Sequence, residues 1–253
     1  MITGMSNPKL PQEILDYILD FLHDEPQALK NCCLVAKSRV SRARKHLFGD
    51  VQIASLTGLE AWRKVFPDPG SSPAYYTHSL RFRFLGLVSS IVAGGCSFVR
   101  PFSNVVRLEL WSGKSILHVR FLQQLLTGST PEAYEIPGLT SSQFFEFICS
   151  LPLLEDLHIV VYEIRRDAND GPVFQPPSSP PLTGTLSLSL VEGIEYVTSG
   201  LLSLPNGVHF RKFLCTWRLQ EDFRWVIALV EGFSDTLEYV EIDRSGPFPL
   251  LLR

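Results

Sequence analysis

The first fifty residues carry apolar side chains at helical spacing. Between Ile14 and Leu22 the apolar positions cover an arc of roughly 200° on a helical wheel. A surface helix of a globular protein needs an apolar stripe only somewhat wider than about 100°. The pattern therefore predicts a helix that must be covered by other residues on two sides. Its apolar arc consists of seven residues: Ile14, Leu15, Tyr17, Ile18, Leu19, Phe21 and Leu22.

Two further short helices are expected to follow. Pro26 is suited to the first turn of a second helix that runs through Cys32 and Leu34. A third, basic helix is predicted for "SRVSRARKHLF", which begins at Ser38. Three such helices in about forty residues bury too small a core to be stable by themselves. The apolar excess is therefore expected to contact the rest of the chain or another protein.

After Phe48 the pattern changes to short runs with a period of two, which predicts strands. The predicted strands are "HSLRFRF", "VVRLELW", "LEDLHIVVY", "GTLSLSL", "HFRKFLC" and "TLEYVEI". Their central residues, Leu80, Leu108, Leu157, Leu186, Phe213 and Val240, are separated by 28, 49, 29, 27 and 27 residues. Apart from the long second interval, these distances are typical of leucine-rich repeats.

Amphipathic stretches lie between the predicted strands: "ILHVRFLQQLLTG", "SSQFFEFICSLP" and "DFRWVIALVEGF". Alternation of strands and helices predicts a parallel sheet with helices on one face, as in a short solenoid. Residues 167–184, rich in Pro and Ser, are expected to form a long surface loop, although "PPSSPP" also fits a ligand of a proline-reading domain. The expected fold is mixed α/β, with a helical domain at 8–50 and a repeat domain at 51–253.

Composition narrows the function classes. The 253-residue chain is 45% hydrophobic and 19% charged, which is typical of a chain with a buried core. Its net charge of −3 gives no general attraction to nucleic acid or membrane. No apolar run is long enough to cross a bilayer, and no signal peptide is visible. The five cysteines are interpreted as thiols in a reducing, intracellular compartment, cytoplasmic or nuclear.

Motifs for chemistry are lacking in the sequence. No Cys or His pair has metal-ligand spacing, and no nucleotide-binding or hydrolase motif is complete. We therefore expect no metal, no cofactor and no enzymatic activity. The run "KSRVSRARK" at 37–45 is compatible with a nucleic-acid or nuclear-localisation patch, but a solvated helix face is favoured because no aromatic residues are interleaved.

The N-terminal stretch resembles an F-box, in particular that of many basidiomycete fungal proteins. The matching segments are "LPQEIL" (10–15), "LKNCCLVAKS" (29–38) and "ARKHLF" (43–48), together with Ile18 and Leu22. The phrases "FSNVVRLEL", "SLPLLEDLHI", "LTGTLSLSL" and "TLEYVEID" resemble the divergent leucine-rich tail of the same group. The resemblance is specific in the first forty residues and looser afterwards.

This resemblance implies a substrate receptor of a cullin–RING ubiquitin ligase. Its F-box would bind a Skp-type adaptor protein, and its repeat domain would bind a protein substrate whose identity the sequence leaves open. The implied adaptor-binding residues are Leu10, Pro11, Ile14, Leu15, Ile18, Leu22, Leu34 and Val35. Pro11 would fix the entry angle of the helix, and Ile14 and Leu15 would be the central anchors.

One position departs from the family pattern. F-boxes usually carry a tryptophan directly after "LVxKS", and this chain has Arg39 there. Loss of a large aromatic anchor is expected to weaken adaptor binding. Three alternatives also stay open: a helical cap on the repeat domain, a protein-binding repeat scaffold without a ubiquitin ligase, and a hydrolase on an unfamiliar α/β fold.

Overall fold

The computed structural model describes residues 10–68, 72–83, 101–111, 139–165, 179–217 and 223–244. The chain divides into two compact units, Met1–Asp50 and Val51–Arg253. The stretch "ILHVRFLQQLLTG" and most of the expected loop at 167–184 lie outside the described residues. Residues 179–184 of that loop contain neither helix nor strand.

The first unit consists of three helices: α1 (Gln12–Phe21), α2 (Pro26–Val35) and α3 (Lys37–Phe48). Pro11 immediately precedes α1, and Pro26 is the first residue of α2, where its missing N–H costs no helical hydrogen bond. The core is small. Each helix contributes one buried residue to it, namely Leu19, Leu29 and Ala43. Leu22, Cys32, Cys33 and Leu47 pack around these three residues and stay partly exposed.

The second unit is built on one sheet of eight strands. Its strands are β1 (Asp50–Ile53), β2 (Ser79–Phe82), β3 (Arg107–Trp111), β4 (Leu139–Thr140), β5 (Asp156–Arg165), β6 (Thr185–Glu192), β7 (Lys212–Trp217) and β8 (Tyr239–Arg244). The order in the sheet follows the chain, β1-β2-β3-β5-β6-β7-β8, while β4 pairs separately with β5. From β2 to β8 each strand is parallel to its neighbour.

The central residues of the six predicted strands form one continuous row across the sheet. Leu80 is in register with Leu108, and the row continues through Leu157, Leu186, Phe213 and Val240. A second row, two residues further along each strand, contains Phe82, Leu110, Ile159, Leu188, Cys215 and Ile242. Both rows are buried from β2 to β7. The sheet therefore has one apolar face, and its register aligns that face across all the strands.

Helices cover this apolar face. Among the described residues the second unit has α4 (Leu56–Val65), α5 (Ser141–Cys149), α6 (Ile194–Leu202) and α7 (Phe223–Gly232). Phe147 of α5 contacts Phe82 of the sheet edge to edge, with 5.5 Å between the ring centroids. Phe233, directly after α7, makes a similar contact with Phe213 at 5.9 Å. Aromatic pairs of this geometry add to the hydrophobic stabilisation of the core.

The predicted mixed α/β fold with a parallel sheet is confirmed. All six predicted strands are present, with bounds that differ by a few residues, and "SSQFFEFICSLP" and "DFRWVIALVEGF" contain α5 and α7. Five elements were not predicted from the sequence: β1, α4, a 3₁₀ helix at Pro73–Tyr76, β4 and α6. The three predicted helices are present; α2 begins at Pro26, as predicted, and α3 begins at Lys37, one residue before its predicted start.

Gly200 allows α5 and α6 to approach closely. A Cβ atom at Gly200 would lie 1.9 Å from Cε2 of Phe145. We therefore expect Gly200→Ala to lower the free energy of unfolding by about 1–3 kcal/mol, as overpacked cores do. Urea denaturation followed by tryptophan fluorescence would measure this change.

Gly58 in α4 provides the matched control for this substitution. A Cβ atom there would meet only Oγ of Ser55, at an ordinary 3.4 Å. Gly58→Ala should therefore leave the stability unchanged or raise it slightly, because alanine favours the helix. Equal effects of the two substitutions would contradict the close packing inferred at Gly200.

Candidate protein-binding surfaces

Helix α1 carries two apolar stripes, and only one of them faces the helical core. Leu19 is buried in that core and Leu22 packs against it. The other stripe, at positions i, i+3, i+4 and i+7, consists of Ile14, Tyr17, Ile18 and Phe21, which are all exposed. Tyr17 is 72% exposed and Phe21 is 78% exposed, which is unusual for large aromatic side chains. This stripe is apolar surface that nothing in the described chain covers.

Two more exposed apolar residues lie at the end of α2. Leu34 is 86% exposed and Val35 is 69% exposed. Leu10, just before α1, is exposed as well. These residues and the outer stripe of α1 are named here the exposed apolar set: Leu10, Ile14, Tyr17, Ile18, Phe21, Leu34 and Val35.

Most of the residues expected to bind an adaptor belong to this exposed surface. Leu10, Pro11, Ile14, Ile18, Leu34 and Val35 are exposed. Leu15 and Leu22 are half-buried, and Leu22 contributes to the bundle core. Tyr17 and Phe21 were not among the expected residues. Their spacing from Ile14, by three and seven positions, was the signal that would have included them.

An ionic cluster holds α1 against α3. Asp20 of α1 accepts hydrogen bonds from Nε and Nη2 of Arg42, the first at 2.7 Å, so that the guanidinium contacts both carboxylate oxygens. Nε2 of His46 also lies 2.7 Å from Oδ1 of Asp20. These hydrogen bonds from Arg42 and His46 hold the pKa of the Asp20 carboxyl well below its usual range. The cluster fixes the rotation of α1, which places the outer stripe away from the core.

Arg39 occupies the first turn of α3 and is half-buried. Its side-chain Nε is buried without a hydrogen-bond partner in the described structure. A buried guanidinium nitrogen without a partner costs desolvation free energy. An aromatic side chain at this position would remove that cost, so Arg39 is poorly suited to its surroundings.

The sheet face that no described helix covers is polar and forms a second candidate surface. On this face Nε of Arg81 lies 3.3 Å from Glu109, and Nη2 of Arg107 lies 3.3 Å from Asp156. On β6 the corresponding positions are small hydroxyl residues: Thr185, Ser187 and Ser189. The two ion pairs lie between neighbouring strands, where opposite charges stabilise the pairing. Among the described residues this polar face is half-exposed, so it is a candidate for contact with another molecule.

One row of this face contains the residue types of a catalytic triad but lacks its hydrogen bonds. Glu109, His158 and Ser187 lie side by side in register. Burial lowers the pKa of His158, but within the described chain no hydrogen bond joins its ring to Glu109 or Ser187. Glu109 is instead paired with Arg81. A serine nucleophile needs a hydrogen-bonded base, so this row does not form one.

The cysteines and charged clusters give no further chemistry among the described residues. Cys32, Cys33 and Cys149 are free thiols. Burial raises the pKa of Cys149 to about 11, so this thiol is protonated and unreactive at neutral pH. The described part of the chain contains no group of three His, Cys, Asp or Glu residues arranged to bind a metal ion. No described helix has the length and apolar character needed to span a bilayer.

No protein-family model, curated protein or solved structure matches the chain. The F-box resemblance therefore gains no support from these comparisons. The case for a function depends on the residues themselves.

The Asp20 cluster predicts that the helical unit loses stability at acidic pH. Because the pKa of Asp20 is lowered on folding, its contribution is complete above the pKa of an unfolded aspartate, about 4, and declines as the pH falls below that value. Asp20→Asn should remove this contribution at neutral pH. Hydrogen exchange of α1 and α3 peptides in the full chain, corrected for intrinsic pH dependence, would measure it.

Glu13→Gln is the control for this substitution, since Glu13 is an exposed acid of the same helix. It should leave the exchange of both helices unchanged. If Asp20→Asn also leaves the exchange unchanged at pH 7, the cluster does not hold α1 against α3.

Proposed function

We propose that this chain is the substrate-receptor subunit of a Skp–cullin–F-box type ubiquitin ligase. Its helical unit is proposed to be the F-box, which binds a Skp-type adaptor through the exposed apolar set. Its second unit is proposed to be a leucine-rich-repeat-like solenoid that binds a protein target. The chain itself performs no covalent chemistry in this proposal, since its role is to bring the target close to the ubiquitin-charged enzyme.

One observation carries the proposal, namely the outer stripe of α1. Burial of apolar surface contributes about 25 cal/mol per Å², so Tyr17, Phe21 and the two isoleucines together offer several kcal/mol to a partner that covers them. Soluble monomers seldom leave such residues side by side in water, and large exposed apolar patches usually mark interfaces. Tyrosine is also enriched among binding hot spots. A helical stripe of this kind fits a partner that supplies an apolar groove.

The architecture of the second unit supports the repeat part of the proposal. Its strands are parallel and lie in chain order, and four of the five intervals between register partners are 27–29 residues. A strand and a covering segment in each interval would give the quasi-one-dimensional stacking of a solenoid. Such proteins bind partners on their extended, uncovered surface, which corresponds here to the polar sheet face.

The adaptor part can be tested with two substitutions on the outer stripe. Ile14→Asp together with Ile18→Asp should weaken binding to a Skp-type adaptor about a hundredfold or more, because each charge replaces an apolar contact at the centre of the interface. Both residues are exposed, so folding should persist and can be checked by circular dichroism. Co-purification and isothermal titration with the adaptor would measure the loss.

Ser38→Asp with Ser41→Asp is the matched control. It adds the same two charges at exposed polar positions of α3 and should leave adaptor binding nearly unchanged. Adaptor binding that survives the isoleucine substitutions, or adaptor binding that is absent from the unmodified chain, would refute the proposal. Capture of a protein partner without adaptor would then favour a repeat scaffold outside the ubiquitin system.

Arg39 provides a separate prediction. Arg39→Trp should strengthen adaptor binding by about tenfold, because it adds an aromatic anchor four residues after Val35. The substitution also removes a buried nitrogen that has no hydrogen bond, which favours the folded state. Thermal unfolding should show equal or greater stability. Arg39→Leu is the control for simple removal of the charge, and equal gains from both substitutions would argue against an aromatic anchor at this site.

A further inference from the structure

Strand β8 forms one edge of the described sheet. It pairs with β7 on one side, and no described strand pairs with its other side. An edge strand presents unpaired backbone donors and acceptors that can bind another extended segment. The backbone of β8 is therefore open to pairing within the part of the chain that the structure describes.

The apolar rows of the sheet change their exposure at β8. Phe213 and Cys215 on β7 are 0% and 3% exposed, whereas their register partners Val240 and Ile242 are 42% and 41% exposed. The same rows are thus covered on every strand from β2 to β7 and uncovered on β8. An added strand that continues the two rows with apolar residues would cover part of this surface.

The other face of β8 is acidic. Glu241 and Asp243 alternate with the apolar residues and are exposed. Glu241 accepts a hydrogen bond from the Tyr239 hydroxyl at 2.9 Å, and this interaction leaves its charge uncompensated. No described residue pairs with Asp243. A neighbouring strand with basic residues opposite these two carboxylates would gain favourable cross-strand pairs.

The direction of the peptide groups indicates where the added strand would bond. The N–H of Tyr239 donates to the carbonyl of Arg211, which precedes β7, at 3.0 Å. Because successive residues of a strand bond to opposite sides, the N–H and C=O groups of Val240 and Ile242 point to the open edge. The residues with exposed apolar side chains are thus also those with open backbone groups.

We propose that the β8 edge binds an extended peptide segment in which basic and apolar residues alternate. The apolar residues continue the rows of Val240 and Ile242, and the basic residues face Glu241 and Asp243. A second copy of this chain fits less well, because pairing two β8 edges would bring acidic side chains together. The identification of this segment as part of a ubiquitination target rests on the proposed function, whereas the binding itself requires no adaptor.

The test uses the full chain and a fluorescent peptide that alternates lysine and valine over six residues, the length of β8. We expect saturable binding by fluorescence anisotropy and increased hydrogen-exchange protection confined to β8. A peptide with glutamate in place of lysine should bind about tenfold more weakly, because like charges face each other across the strands. A lysine–valine peptide that is N-methylated at alternate residues should not bind, since it cannot pair with the edge.

The charge assignment is tested by Glu241→Lys with Asp243→Lys, which should reverse the preference toward the glutamate peptide. Glu13→Lys with Glu60→Lys changes the net charge equally at exposed positions in α1 and α4, and should keep the original preference. Equal affinity for both peptides, unchanged affinity of the N-methylated peptide, or no binding at all would overturn the proposal. Adaptor binding of the β8 variants, measured in parallel, should equal that of the unmodified chain. A failure of peptide binding with intact adaptor binding would therefore refute the β8 proposal without refuting the proposed function.

Discussion

The in-register packing of apolar side chains on one face of the parallel sheet is the constraint on which the second unit depends. Leu80, Leu108, Leu157, Leu186 and Phe213 are fully buried and aligned. If one strand slipped by one residue relative to its neighbour, its buried apolar side chains would face the solvent. The register is therefore strongly specified. The same register places the polar side chains of the other face in adjacent rows. The charge pairs on that face and the alignment of Val240 and Ile242 with the buried rows both follow from this register.

The small core of the helical unit limits how much apolar surface the unit can bury. Three helices with one buried residue each cannot accommodate both apolar stripes of a ten-residue helix, so one stripe is left in solvent. Leu19 is the residue of α1 that the core buries, and the bonds of Asp20 to Arg42 and His46 hold α1 in the same rotation. The exposed stripe is thus a consequence of a small core and an ionic cluster beside it. Its exposure is built into the fold of the unit.

The local pattern was sufficient for the six strands from β2 to β8 other than β4, but it missed β1 and β4 and did not give the details of either surface. Period-two runs located all six strands of these rows, and the residues taken as their centres lie in register in the structure. Helix α6 was not predicted because Gly200 lies in its interior and glycine is a poor helix former. A glycine is needed there because a Cβ atom would collide with Phe145, which is far away in sequence. The spacing along α1 placed Tyr17 and Phe21 on the same stripe as Ile14, but it could not show which of the two stripes is exposed. That assignment depends on Asp20 and Arg42, which are 22 residues apart.

The exposed apolar set and the β8 edge differ in chemistry, and the difference matches the two roles in the proposed function. The exposed apolar set resembles the core of a stable interface, in which large apolar residues are buried together and charges are scarce. The β8 edge is short, half apolar and acidic, so it offers few buried contacts and a binding energy that depends on salt. A receptor has to stay with its ligase while it binds and releases successive targets. Affinity differences between related complexes lie mostly in the dissociation rate. In the proposed function, an apolar site would release the adaptor slowly, and a charged edge would release each target quickly.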